Sequence, residues 1–278
     1  MSWIQNRIVL RLISPMHIGW RKVGNLQQTR KYVTGKVLWA ALTARLTRNL
    51  KRENQKAYVD IGTTLHESFQ FGYFYTALKK DDAKRVESVE DFMVYYPWDE
   101  NFDYLFLDSY VSTAVNSKSR ASAEGTLHEV EFIAPRTRRG EQVYLIGDVW
   151  VKNRVPEEVE SWDTFLRYLQ LGGERGYGWG RVEPIFDPAE ICRVDKDILI
   201  KVNKKERVLA HVNACSIQDK LSGVVEPLVG WERDAGSGGW TLTKNVELAF
   251  VPGSVVTCAC VTFVFDRFGV WLVYEMIL

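Results

Sequence analysis

The stretch Gly172-Gly173-Glu174-Arg175-Gly176-Tyr177-Gly178-Trp179-Gly180-Arg181 is the strongest local signal in this 278-residue chain. Glycine holds five of its ten positions. That density opens backbone conformations closed to other residues and lets main-chain N–H groups approach a phosphate closely. Arg175 and Arg181 add charge, while Tyr177 and Trp179 offer faces on which an unpaired base stacks. A tight turn without a ligand is the other reading of so many glycines. No Gly-Lys-Ser/Thr ends the run, which excludes a P-loop. The segment before it, Trp162 to Leu171, carries Trp162, Phe165, Leu166 and Leu169 at helical spacing behind a capping residue, Ser161 or Asp163. The segment after it, Val182 to Phe186, is strand-like. A dinucleotide fingerprint has the opposite order, strand then helix, and so fits poorly.

Further toward the N-terminus, Arg7 to Ile13 alternates as a strand and stops at Ser14-Pro15. A basic, acid-free loop from Gly19 to Thr34 follows. Thr34 then caps a helix whose stripe is Val37, Leu38, Ala41, Leu42 and Leu46, with Arg45, Arg48 and Lys51 largely off it. Strand-like runs cover Phe71 to Ala77, Phe92 to Tyr96, Leu105 to Val111, Leu127 to Ile133 and Gln142 to Val151. The order is therefore strand, helix, several strands, helix, Gly-rich loop, strand. It predicts an α+β, ferredoxin-like (RRM-like) β-α-β-β-α-β domain over residues 1–190 with strands inserted in its middle. The face of such a sheet is a recurrent RNA platform, although fold alone does not assign function.

Past Asp187 the texture changes to strand-like runs at Ile198 to Val202, Arg207 to Val212, Val246 to Val251, Val255 to Phe265 and Val270 to Ile277. Gly and Asn clusters separate them, Asp234-Ala235-Gly236-Ser237-Gly238-Gly239 among them, and no long helix is evident. Residues 191–278 are expected to form a smaller β-rich domain. Whether it is a degenerate copy of the first stays open, since no exact repeat is visible.

The net charge of +1 hides a segregation. From Met1 to Arg52 there are 11 Lys and Arg residues and no acid, which leaves 25 basic and 35 acidic residues beyond. Such an asymmetry points to a polyanion met mainly by the first fifth of the chain, with a solvated cationic face or an acidic protein partner as alternatives. Cys192, Cys215, Cys258 and Cys260 form no Cys-x-x-Cys pair and have no histidine at zinc-finger spacing. No metal or other cofactor is expected, and Cys258 and Cys260 are expected as buried thiols on one strand face. The apolar run Ile8 to Ile13 is short and interrupted by Arg11, so neither a signal peptide nor a membrane span is expected, and the composition fits a cytoplasmic protein.

The Gly-rich run, placed after the second helix of a ferredoxin-like domain, resembles the signature loop of the RAMP superfamily of CRISPR-associated proteins. Ser14-Pro15-Met16-His17-Ile18-Gly19 is similar to the family's first strand end. Tyr32-Val33-Thr34-Gly35-Lys36-Val37-Leu38-Trp39-Ala40-Ala41-Leu42 resembles its entry to the first helix, with Thr34 in place of the usual proline. Ala123 to Glu131 looks like the segment before its central hairpin, and Val251-Pro252-Gly253-Ser254 like a motif of two-domain members. Together with Glu226-Pro227-Leu228, these stretches resemble the large capping subunit of type III-D effector complexes. The resemblance implies binding to the 5′ tag of the crRNA, beside a polymerase-like large subunit and against the first backbone RAMP subunit, in antiviral defence. A backbone subunit of the same complex is the neighbouring alternative.

Target-cleaving members of the family use an acid in a loop of the first domain. The loop Gly19 to Thr34 has none, though Asp60, Asp103 and Asp108 occur later. Guide-processing members often use a histidine, which would make a metal-independent endoribonuclease with His17 as the candidate general acid or base. His66, His128 and His211 have no partner evident in the sequence. The expected assignment is non-catalytic RNA binding. Its residues are Arg21, Lys22, Arg30, Lys31 and Lys36 near the first helix, and Gly173, Arg175, Gly176, Tyr177, Gly178, Trp179 and Arg181 in the Gly-rich loop. The acid-free cluster Arg136, Arg138 and Arg139 adds to them.

Overall fold

The computed structural model describes residues 2–50, 55–80, 86–217, 219–233, 239–243 and 246–274. Lys51, residues 234–238 of the second Gly cluster, and Ile277 lie outside the described residues. In chain order the first part comprises β1 (Trp3–Leu12), β2 (Gly19–Val23), β3 (Leu26–Thr29), α1 (Gly35–Asn49), α2 (Gln55–Ser68), β4 (Phe69–Phe71), β5 (Tyr75–Lys79) and β6 (Phe92–Tyr95). It continues with α3 (Phe102–Phe106), β7 (Leu107–Ser112), β8 (Val115–Asn116), β9 (Ala121–Ser122), β10 (His128–Ile133), β11 (Tyr144–Lys152), α4 (Glu157–Glu160), β12 (Val182–Pro184) and β13 (Ala189–Val194).

Its main sheet has the order β12-β1-β11-β5-β6, with β13 added to β1 and β4 to β11. β1 and β11 are antiparallel in unbroken register from Trp3 opposite Lys152 to Arg11 opposite Tyr144. With β12 beyond β1 and β5 beyond β11, this is the sheet of a β-α-β-β-α-β unit. Alternation along β1 sends Ile8, Leu10 and Leu12 into the main core with Leu38, Leu42 and Leu46 of α1 and Ile61 and Leu65 of α2. Val9 joins the opposite, smaller cluster with Ala77, Phe92 and Ile146. Burying each Val, Leu, Ile or Phe side chain of these clusters stabilises the layer by about 1.5–3 kcal/mol.

Several sequence expectations change. The segment Gly19 to Thr34 is largely the hairpin β2–β3 rather than a loop, and it leads a second sheet of order β2-β3-β10-β7. The run Leu105 to Val111 splits into α3 and β7, because Phe102, Leu105 and Phe106 bury one helical face. The expected second helix shortens to a 3-10 helix, Trp162–Tyr168, after the single turn α4. Leu169 is extended there because its carbonyl accepts from Val182 N–H and Leu171 N–H donates to Gly180, which builds the stem of the Gly-rich loop. At α1, Thr34 occupies the N-cap position but its side chain makes no capping bond.

The second part adds β14 (Leu199–Asn203), β15 (Val212–Asn213), β16 (Leu221–Ser222), β17 (Val225–Leu228), β18 (Trp231–Arg233), β19 (Trp240–Leu242), β20 (Glu247–Phe250), β21 (Val255–Val256), β22 (Cys260–Phe265) and β23 (Trp271–Val273). Six of these form the sheet β14-β22-β23-β15-β20-β17. Among the described residues no α-helix crosses between them. The boundary expected at 190 falls inside β13, which still belongs to the first sheet. The strand expected from Val255 to Phe265 breaks around Cys258, leaving Cys258 half-buried and Cys260 exposed instead of both buried. The two parts share a core: Tyr32, Tyr73 and Tyr75 of the first pack with Val208, Val212, Phe263 and Trp271 of the second.

Candidate nucleic-acid interface

The Gly-rich loop is fastened to the end of β1 by its own backbone. Gly180 N–H donates to the Pro15 carbonyl at 2.7 Å and Gly173 N–H to the His17 carbonyl at 2.8 Å. The Ser14 hydroxyl donates to the Gly178 carbonyl at 2.8 Å and accepts from Arg181 N–H at 3.0 Å. Two glycines make this contact possible. At Gly180, with φ of +74°, a Cβ would stand 2.0 Å from the Leu171 carbonyl oxygen. At Gly172, with φ of +82°, it would stand 2.2 Å from the His17 oxygen. The 3-10 turn Arg175–Tyr177 then lifts Tyr177 into solvent, 82% exposed, with Arg175 and Gly176 exposed beside it. Trp179 does not share that exposure. Its ring packs edge-on against Phe132 of β10 at 5.0 Å and Tyr110 of β7 at 6.4 Å, so it anchors the loop to the second sheet.

One wall of the loop, Gly172, Gly173 and Arg175, opens on a cleft of about 1040 Å³ between the two parts. The start of α1 supplies Lys36 to it, and the second part supplies Trp231, Arg267 and Phe268 from across the gap. Trp231 is 64% exposed there. Lys36 Nζ lies 5.4 Å from the centre of the Phe268 ring. The helix start and the second part meet closely because residue 35 is glycine. A Cβ on Gly35 would fall 2.4 Å from both the Phe268 and the Phe71 carbonyl oxygens. The cleft thus has an aromatic face, cations and a glycine-lined backbone wall, the combination that holds an unpaired nucleotide.

The other expected residues are dispersed. Arg21 and Lys22 lie on β2, all of whose residues are exposed. Lys31 pairs with Asp103 at 2.6 Å. Arg181 is exposed and does not line the cleft, and the space around Gly178 is open. Arg136 donates to the Gly140 carbonyl within its own loop. Arg138 stands 3.9 Å from Asp108 and over the Tyr104 ring, while Arg139 is exposed. None of these last three lines the cleft. His17 is buried beneath Gly172 and Gly173, and its Nδ1 makes a 2.7 Å hydrogen bond with the Glu131 carbonyl. Asp60 is exposed on α2.

Arg30 also lines the cleft, as His211 does, but as part of a cluster that joins the two parts of the fold. Its guanidinium is largely buried and pairs with Glu226 of β17. The same Glu226 oxygen takes a hydrogen bond from His211 Nε2 at 2.8 Å, and His211 Nδ1 meets the Tyr73 hydroxyl at 2.7 Å. His211 therefore has partners that the sequence did not disclose, and so has His66, whose Nε2 accepts from Arg267 at 3.0 Å. Partial burial pushes the Glu226 carboxyl up, but hydrogen bonds and charge from His211, Arg30 and Trp20 outweigh it and hold the group down at about 2. Burial pushes His211 below its ordinary value. Both shifts have one sign, because in each case the unfolded chain binds the proton more readily. Stability is therefore complete above 6.5, begins to fall below it through His211, and falls further below 4.5 through Glu226. Thermal melts between neutral pH and pH 3 are expected to show a loss from Glu226 of about 1–3 kcal/mol, solvent screening included. Glu226→Gln should flatten the lower part of that profile.

Trp231, Arg267 and Phe268 were missed by sequence reasoning. Each forms part of an aromatic pair with a nearby cation, Arg267-Phe268 and Trp231 two residues before Arg233, a signal like that of Trp20-Arg21. Contacts between the start of α1 and the second part, more than two hundred residues apart in the chain, help to place them opposite the loop.

Residues 9–183 match a family model described as the RAMP superfamily. No curated protein matches the chain. Among solved structures, a chain of the cryo-EM structure of the Type III-B Cmr-beta bound to cognate target RNA and AMPPnP is similar, with 13% identity and a TM-score of 0.51. The match covers 90% of this chain and 85% of that one. A chain of the Type III-B Cmr-beta bound to cognate target RNA gives 11% identity and a TM-score of 0.45 over 65% of this chain and 96% of that one. Among the described residues no helix is long and apolar enough to cross a membrane, and no group of metal-ligating side chains is assembled.

Proposed function

This chain belongs to the RAMP superfamily, and from that premise we propose that it is a non-catalytic RNA-binding subunit of a type III CRISPR effector complex, gripping the 5′ tag of the crRNA. The observation that carries the reading is the cleft, in which the Gly-rich loop, the basic start of α1 and the aromatic edge of the second part converge. Phosphates of the tag would lie along Lys36 and Arg175, and one unstacked base would seat on Trp231. The exposed Arg21 and Lys22 of β2 extend the basic path outside the cleft. The polymerase-like large subunit and the backbone RAMP subunits are the proposed neighbours, and the capping position accounts for a second part that supplies one wall of the site.

A salt titration of RNA binding tests this. Lys36→Ala and Arg175→Ala should each weaken binding and reduce the slope of log K against log salt by about one unit. Trp231→Ala should cost about 1–3 kcal/mol with the slope unchanged. The RNA is expected to survive intact. Cleavage that disappears in His17→Ala would instead support an endoribonuclease, and binding indifferent to all three substitutions would remove the cleft from the account.

A further inference from the structure

We infer that Glu226 of the second part is a positioning residue for RNA, holding the basic hairpin β2–β3 of the first part in its gripping place through Trp20. The inference rests on the RNA-binding reading. The two carboxylate oxygens of Glu226 have separate work. Oε1 takes Arg30 and His211, which joins the two parts of the fold. Oε2 accepts the indole N–H of Trp20 at 2.8 Å, a bond to the hairpin. Trp20 is 39% exposed, so this bond holds a ring that still meets solvent.

The hairpin is shaped for this contact. The β2–β3 register runs from Gly19 opposite Thr29 to Arg21 opposite Gln28, so Trp20 is the extra residue of a bulge. A bulge re-aims side chains at a sheet edge and changes the alternation that would send neighbours to opposite faces. Here Arg21 lies over the Trp20 ring, its guanidinium carbon 4.1 Å from the ring centre, while its Nε donates to Gln28 at 2.7 Å. Apart from its ladder to β3, β2 has no other strand neighbour in the described sheet, and every one of its residues is exposed. A carboxylate from the second part therefore fixes the indole, and the indole fixes the guanidinium. A pre-placed cation loses less freedom on meeting a phosphate than one on a loose hairpin.

Trp20→Phe isolates this link. It deletes the N–H but keeps a ring beneath Arg21 and leaves the Arg30–Glu226–His211 cluster in place, whereas Glu226→Gln also disturbs that cluster and the fold. Fluorescence anisotropy with a labelled single-stranded RNA of mixed sequence, with melting temperatures taken on the same samples, gives the readout. Trp20→Phe should weaken binding about fivefold, as loss of one orienting hydrogen bond does, with the melting temperature nearly unchanged. Arg21→Ala should weaken it by at least as much, and Trp20→Phe should then add nothing in the Arg21→Ala background. Glu226→Gln should likewise add nothing to the binding of folded Trp20→Phe protein. Equal costs of Trp20→Phe with and without Arg21 would overturn the inference, as would unchanged binding by Trp20→Phe where Arg21→Ala weakens it. Wild-type protein that binds no RNA would fail the functional reading itself and take the inference with it.

Discussion

Replacing Gly180 by alanine should unseat the Gly-rich loop and lower stability by about 3–4 kcal/mol, with RNA affinity lost in parallel. Two costs act together at that position. The left-handed backbone disfavours any Cβ, and the new methyl would overlap the Leu171 carbonyl at 2.0 Å, an oxygen held in the loop stem. Relief would require breaking the bond from Gly180 N–H to Pro15 or the one from Leu171 N–H to Gly180. The same loop supplies controls. Gly178 also has a positive φ but open space, so alanine there should cost only about 1–2 kcal/mol. Gly176 has neither constraint, and Gly176→Ala should melt like wild type. Chemical denaturation of the three variants measures the series. Equal effects at all three positions would mean that the loop is not seated on the end of β1 as described.

Arg30→Ala should act on folding before it acts on RNA. Its guanidinium bonds Glu226 and the Tyr32 hydroxyl, and its loss leaves a partly buried carboxylate short of its cationic partner. Breaking a buried pair from one side costs about 3–5 kcal/mol, here reduced toward the lower end because Trp20 and His211 still serve Glu226. The salt slope of RNA binding by the folded variant should stay that of wild type, unlike Arg175→Ala. A slope reduced by one unit would return Arg30 to the phosphate path.

The contrast between these two arginines shows what sequence reading reaches. Arg175 stands among glycines whose spacing is local, so the loop and its exposed Tyr177 could be anticipated from ten consecutive residues. The α1 stripe Val37, Leu38, Ala41, Leu42 and Leu46 was equally visible; the last four are buried and Val37 is half-buried against the same core. Arg30 sits in an acid-free run, and charge alone sent it outward. Its partner is 196 positions away, on a strand whose edge the sequence could not place. The helix α2 has its signal in Ala57, Ile61 and Leu65, four residues apart and buried, but a stripe of three positions among polar residues is easily passed over. The expected helix before the Gly-rich loop failed for a tertiary reason. Backbone bonds from Leu169 and Leu171 to the far side of the loop end it early, and such pairing leaves no periodic trace.

The central claim is that this chain grips the common end of guide RNAs. The most direct test is to recover tagged protein from the organism that makes it and to sequence the RNA bound to it, beside a Trp231→Ala, Arg175→Ala variant. The account predicts guide RNAs sharing one 5′ end, intact, and strongly depleted from the variant. Absence of RNA, or an unselected cellular mixture retained equally by both proteins, would contradict it.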